Sequence, residues 1–448
     1  MVDDASFDAK NIRNEIPEVV ETLAIESSQV QDASPAAAAS APPKIFAYFA
    51  ILNLALGLGA PTGLAAIPIG YFLKDHLHLS PLGLAAFVAI ASIPAYFGFL
   101  FGFLRDRWRP RSWGDRGYLL VGALLAAGMY LWLSKAAVTY SELLYVVLLE
   151  GVAYMSITTS TQALMTGVGQ AHSMTGRLSV VFLLGYFVPA VFAALLGGWL
   201  VANVSAQGTF IVAACVTMVI GLQAFWRLDV VEAFDRFEDR SVEGGFAAIA
   251  RLIAHPPIWP AAMINFLWNF GPGWGTPMFY HLTETVKISS QLFGTFTAVQ
   301  WAFFLPTTVL YGVICRRVPL SRLLWWGTIV AIAQGPIMFF AQSGTSAIAV
   351  AVLYGLFGGF ATAAYMDLIM RSCPKGLEGP GVMLATAALA IASSSGNLLG
   401  SWIYAAGGFA SAVVITTAAT TLIVPVLWWV PQSITSAREG ETLDLGNL

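Results

Sequence analysis

The chain of 448 residues carries one pattern twice. Leu195-Leu196-Gly197-Gly198-Trp199-Leu200 returns as Leu398-Leu399-Gly400-Ser401-Trp402-Ile403. Pro68, Tyr71, Leu73, Leu79 and Ser80 return at identical spacing as Pro277, Tyr280, Leu282, Ile288 and Ser289. Gly102, Arg107 and Pro110 return as Gly312, Arg317 and Pro319. The offset stays between 203 and 210 residues. Two similar halves in the same order, each strongly apolar, point to duplicated helical bundles that share a central interface.

The composition places those halves in lipid. Hydrophobic residues make up 57% of the chain and charged residues 10%, with mean hydropathy +0.73. Soluble domains carry about 25% charged residues, so a water-soluble fold is excluded. The formal net charge of −3 indicates neither a nucleic-acid nor an acidic partner. Cys215, Cys315 and Cys373 show no CxxC spacing, which predicts neither a disulfide framework nor a zinc site.

A membrane-crossing helix needs about 20 apolar residues. By that measure the chain divides into about twelve segments. Six lie near 46–73, 82–104, 117–135, 141–166, 178–203 and 208–227. Six more lie near 258–282, 291–313, 322–341, 346–371, 381–405 and 409–430. The expected fold is therefore an all-α membrane protein of two six-helix bundles. The expected divisions are an acidic disordered tail (1–43), a first bundle (44–228), a charged linker (229–256), a second bundle (257–431) and a terminal tail (432–448). The first 43 residues hold eight acids against Lys10 and Arg13, with no basic stretch leading into an apolar core, so no cleavable signal is read there.

Basic residues set an expected orientation. Alternate loops collect 15 Lys and Arg, while the opposite loops hold Lys74, Lys135 and Lys287. The positive-inside rule then places both termini in the cytoplasm, with the plasma (inner) membrane as the expected site.

Two six-helix halves with a central charged linker resemble the major facilitator superfamily. The loop signature Gly102-Phe103-Leu104-Arg105-Asp106-Arg107 sharpens the resemblance. It implies a cytoplasmic gate at Asp106, Arg107, Arg111, Arg317 and Arg371, with Asp106 facing helix N-termini or an arginine. A plain basic loop is the alternative. Within the superfamily, three stretches resemble the folate-biopterin transporter (BT1-like) family. They are 71–80, Pro277-Met278-Phe279-Tyr280-His281-Leu282-Thr283, and Cys373-Pro374-Lys375-Gly376-Leu377-Glu378-Gly379 before Asn397-Leu398-Leu399-Gly400. Two departures stand out. Gln162 takes the place of an acid near the inner end of the fourth helix, and no Lys or Arg lies deep in any segment. The second argues against a polyanionic folate as the substrate.

Ionisable groups within a bilayer mark function by default, because lipid disfavours their charge. Glu150 sits about nine residues into its segment, about 14 Å along the helix and close to the midplane. It is the first candidate for proton coupling, against an inert hydrogen-bonded acid. Asp367 is the second, although Arg371 at i,i+4 favours an ion pair. Gly and Pro interrupt the first and seventh segments at matching places, 57–63 and 271–277. Paired interruptions point to a substrate site; close helix packing is the alternative. The substrate-binding candidates are Asn53, Asn265, Trp268, Asn269, Trp274, Tyr280, Tyr154, Gln300 and Asn397. Asn265, Trp268 and Asn269 share one helix face, suited to a flat, hydrogen-bonding solute. Trp199, Trp326 and Trp429 read instead as interfacial anchors.

No phosphate loop, HExxH or G-x-S-x-G motif is present. The expectation is a secondary transporter of alternating access, not an enzyme and without cofactor or metal. It would be a monomer with a small-molecule substrate, protons and membrane lipid as partners. Two alternatives stand beside it: an exporter of amphipathic compounds, and a non-transporting relative that handles a pigment or assists assembly of a membrane complex.

Overall fold

The computed structural model describes residues 43–107, 114–134, 138–171, 175–226, 254–315, 317–372 and 378–436. The expected acidic tail, most of the linker, Arg111, Cys373 and the last twelve residues lie outside the described residues. Within them every regular element is helical.

The main helices of the first half are α1 (Pro43–Gly59), α2 (Ala66–Tyr71), α3 (Pro81–Ala91), α4 (Gly98–Arg107), α5 (Gly114–Leu133), α6 (Tyr140–Ala171), α7 (Thr175–Asn203) and α8 (Ala206–Gln223). The main helices of the second half are α9 (Ile258–Asn269), α10 (Thr276–Tyr280), α11 (Ser290–Ile314), α12 (Leu320–Ile337), α13 (Gly344–Ser372) and α14 (Glu378–Thr421), with short helices at Ile423–Leu427 and Gln432–Thr435. Helix occurs in each of the twelve expected segments. Among the described residues, eight elements are long and apolar enough to cross a membrane unaided. A count of twelve requires joining the broken pieces and dividing α14. Its 44 residues would run about 66 Å as straight helix, twice the apolar thickness of a bilayer. Gly408, at φ 74°, breaks it.

The breaks have local causes. Pro61 follows α1, and Pro272 lies between α9 and α10, each at a place where a helix would need a backbone donor. Each half then makes the same turn. A π-helical turn spans Phe72–His76 in one and His281–Thr285 in the other. A non-glycine residue with positive φ follows each, His78 at 50° and Lys287 at 60°. Ser80 and Ser289 then cap the next helices, each accepting a backbone hydrogen bond of 3.2 Å. Corresponding residues are 209 apart (289 − 80). At the start of α6, Thr139 and Glu142 form a reciprocal capping box.

Apolar packing is organised mainly within each half. One buried cluster joins α1, α5, α6 and α8 around Tyr48, Phe49 and Leu119. Another joins α9, α11, α12 and α13 around Leu323, Tyr365 and Leu368. A third crosses between the halves and unites Tyr71, Phe87 and Tyr130 with Phe279 and Tyr280. It lies at the end of the molecule that carries Lys74. Trp199, Trp326 and Trp429 are exposed, as anchors at a lipid boundary would be.

Candidate functional site

The interrupted segments meet the helices opposite them around a cavity of about 530 Å³. Both halves line it, and the lining includes three pairs of repeat-related residues. Ile67 pairs with Thr276, Phe87 with Phe296, and Ala91 with Gln300. Each pair is separated by 209 positions, so the cavity straddles the pseudo-twofold axis relating the halves. Among the described residues, its lining contains no Asp, Glu, Lys, Arg or His.

Four of the nine predicted binding residues line this cavity: Tyr154, Trp274, Gln300 and Asn397. Trp274 stacks on Tyr354 with ring centroids 3.9 Å apart and planes at 11°, which fixes the indole as a rigid wall. Gly275 follows it at φ 71°, a conformation that favours glycine. The Asn397 Oδ1 accepts the Thr276 backbone N–H at 2.8 Å, satisfying an open donor at the start of α10. Gln300 is 5% exposed, and its amide makes no hydrogen bond among the described residues.

The other five lie elsewhere. Asn53 donates to the Phe49 carbonyl at 2.8 Å and packs where α1 crosses Gly185 of α7. Asn265, Trp268 and Asn269 do share a face, but it points into the second half. Trp268 Nε1 donates to Thr362 Oγ1 at 3.2 Å, and its ring meets Tyr365 edge-on. Asn269 Nδ2 donates to the Asn265 carbonyl at 2.8 Å and to its Oδ1 at 3.1 Å. Tyr280 bridges the halves, its hydroxyl donating to the Leu79 carbonyl at 2.5 Å. Trp301 and Thr297 line the cavity and were not among the candidates. Their signal was present: 297, 300 and 301 fall at i, i+3 and i+4 on one face of α11.

Of the two candidate acids, neither touches the cavity. Glu150 is 1% exposed and faces the Tyr130 phenol on α5. Neither of its oxygens completes a hydrogen bond of good geometry. Its neighbour Gly151 does line the cavity. Asp367 is held at two points. Arg371 Nε donates to it at 2.8 Å, and the Tyr311 hydroxyl of α11 donates at 2.8 Å. That geometry favours a structural ion pair over a mobile proton site.

The end opposite Lys74 carries the loop signature. Asp106 and Arg107 fall in α4 with side chains outside the described residues, and Arg317 is exposed. The pair that does form there uses Arg105, whose Nε and Nη2 reach Asp115 at 2.5 Å each. Both side chains are buried, and Asp115 sits in the first turn of α5, where a negative charge is favoured.

At the Lys74 end the halves are closed. Lys74 Nζ lies 2.6 Å from Glu284 Oε1 of the second half and 3.0 Å from Asp75 Oδ1. It sits 5.4 Å from the Tyr71 ring centre and 5.9 Å from that of Phe279. Burial acts to lower the Lys74 pKa, but hydrogen bonds to Glu284 and Asp75 outweigh it and raise the value above the usual 10.5. Behind this pair, α7 and α11 cross with Gly198 against Gly294, a contact without room for side chains.

Helices that span a bilayer, duplicated about an axis and enclosing a cavity closed at one end, define a polytopic membrane carrier. The chain matches the Major Facilitator Superfamily over residues 47–394 and belongs to that superfamily. It is 20% identical over 359 residues to the folate-biopterin transporter of Synechocystis sp., covering 76% of this chain and 72% of that protein. It is 21% identical over 335 residues to folate transporter 1 of Plasmodium falciparum, covering 70% of this chain and 64% of that one. Among solved structures, a POT family transporter in complex with a thioalcohol-conjugated peptide superposes with a TM-score of 0.70. That match has 12% identity and covers 88% of this chain and 97% of the other. A D-xylose-proton symporter superposes at 0.64 with 14% identity, over 89% and 99% respectively. At such identities the likeness establishes the fold. The relatives are transporters rather than enzymes, and this chain is an integral, multi-pass membrane protein that transports solute.

Proposed function

We propose that the cavity between the halves is the binding site of a secondary transporter for a small, planar, hydrogen-bonding organic solute. The halves rock about it, and the structure represents the state closed at the Lys74 end. The observation that carries this reading is the cavity itself. It lies on the pseudo-twofold axis at the helix interruptions, where transporters of duplicated fold bind substrate. The names of the two relatives make pterin-like compounds the first solutes to test.

In this reading the Lys74 end faces outward and the Arg105 end faces the cytoplasm, in keeping with the basic loops. Proton coupling rests on Glu150, a carboxyl buried within the first half with no completed hydrogen bond. Reconstitution in liposomes tests both parts. A pH gradient should drive uptake by the native chain. Glu150→Gln should abolish that uptake while equal-concentration exchange continues. No flux of any solute in the native chain would overturn transport, and unchanged pH-driven uptake in the variant would remove Glu150. The mostly apolar lining favours a second reading, an exporter of amphipathic compounds. Outward movement of such compounds in the same liposomes would select it.

A further inference from the structure

The cavity is unequal across its axis. Where the second half places Thr276, Thr297 and Gln300, the first half places Ile67, Val88 and Ala91 at the 209-residue equivalents. At these three positions the first half is apolar and the second polar, while Thr62, Ser92 and Tyr154 keep some polar surface on the first-half side. Phe87 and Phe296 supply flat apolar surface from both sides.

Gln300 dominates the polar wall. It is 95% buried by difference from its 5% exposure, and its amide makes no hydrogen bond among the described residues. Its amide atoms are not sealed from the cavity, so they are open to a bound ligand or to water. The amide presents a donor and an acceptor side by side in one plane. Asn397 spends its Oδ1 on Thr276, which leaves its Nδ2 donors unspent beside the same cavity. No cationic side chain lines the cavity among the described residues. A carboxylate brought there would lose its water without gaining a countercharge.

We infer that Gln300, with Asn397, selects an uncharged flat heterocycle by its in-ring amide, the adjacent N–H and C=O, and that solutes bearing carboxylates are disfavoured. Gln300 accepts from the ring N–H and donates to the ring C=O, while Asn397 donates to a further ring acceptor. Ile67, Val88 and Ala91 of the first half pack on the ring face. This inference deepens the transport reading and rests on it. It departs from the polyanionic solute in the names of both relatives.

Titration of the purified full chain in nanodiscs tests it, with three probes: biopterin, its N3-methylated form and folic acid. Biopterin should bind at least about tenfold more tightly than folic acid, whose carboxylates find no countercharge. Methylation at N3 should weaken biopterin about tenfold by removing the donor to Gln300. Gln300→Leu should cost the same factor, and methylation should then cost nothing more. The methylated probe needs no variant, so the arm stands even if Gln300→Leu fails to fold. Folic acid binding as tightly as biopterin, full affinity for the methylated probe, or no binding of biopterin would each overturn the inference. Transport is judged separately: liposomes that accumulate folic acid refute this selectivity and leave the transport reading standing, whereas liposomes that move no solute refute transport.

Discussion

Closure at the Lys74 end should depend on two carboxylates to a calculable degree. The Lys74 side chain is 10% exposed, whereas those of Glu284 and Asp75 are 56% and 52% exposed. An exposed ion pair contributes about 0.2–1 kcal/mol. The half-exposed Glu284 lies at the top of that range because the ammonium it meets is mostly out of water. Glu284→Gln keeps the shape and removes the charge, and Asp75 continues to hold Lys74. The expected cost to the closed state is about 1 kcal/mol, a shift of about fivefold in the ratio of open to closed. Removing both carboxylates in Glu284→Gln with Asp75→Asn leaves a buried ammonium unpaired. That cost approaches about 3 kcal/mol, on the order of a hundredfold. Spin labels at exposed positions 82 and 291, one on each half, report the opening as a distance distribution in a cysteine-free background. The long-distance population should rise modestly in the single variant and dominate in the double variant. The single variant's effect should shrink in 1 M salt, where screening acts over about 3 Å. An unchanged distribution in the double variant at low salt would refute the lock.

Three further outcomes are expected. The raised Lys74 pKa favours the charged form in the closed state, so its contribution is full below about pH 10.5 and is lost as pH rises through the raised value. The same spin-label distances should therefore hold between pH 6 and 9 as far as Lys74 controls them, and lengthen in strong alkali. Gly294→Leu places a side chain against the Gly198 backbone and should destabilise the closed state by about 1–3 kcal/mol, again read as a longer distance. Arg105→Ala removes the bidentate charge-assisted hydrogen bonds to the buried Asp115 and should cost about 1.5–3 kcal/mol, seen as a lower thermal midpoint.

Sequence reading succeeded where structure is local. The repeat of Pro68, Tyr71, Leu73, Leu79 and Ser80 as Pro277, Tyr280, Leu282, Ile288 and Ser289 was legible because it is short-range, whereas the turn it encodes was not read from it. Both copies of that repeat fold into the same π-helical turn, Phe72–His76 and His281–Thr285. Side-chain direction was less legible. In water a helix betrays its inner face by amphipathicity. In lipid both faces are apolar, so periodicity does not distinguish neighbour from solvent. Hence Asn265, Trp268 and Asn269 were rightly grouped on one face, while the target of that face was not evident. The same ambiguity drew attention to Asp106 in the loop signature. The described pair is made by its neighbour Arg105, turned about 100° around the helix. Gln300 was a candidate, whereas Trp301 and Thr297 on the same helix face were passed over although their spacing pointed to them.

The position of Glu150 constrains how coupling works if the proposed function holds. Its carboxyl faces Tyr130 inside the first half, while Val147, Gly151 and Tyr154 of the same helix line the cavity. In the proposed coupling, a proton on Glu150 would act on solute through the tilt of α6, since Glu150 does not line the cavity. Gly151 packs closely against Pro94 of the neighbouring second segment, a contact through which a shift of α6 would be passed on. Binding and coupling should then separate in one variant. Glu150→Gln preserves volume and removes the titrating group, so solute affinity in equilibrium titrations should stay within about twofold of native. Accumulation against a gradient should disappear. An affinity loss of tenfold or more in that variant would mean that Glu150 reaches the solute directly, and the division of labour along α6 would be wrong.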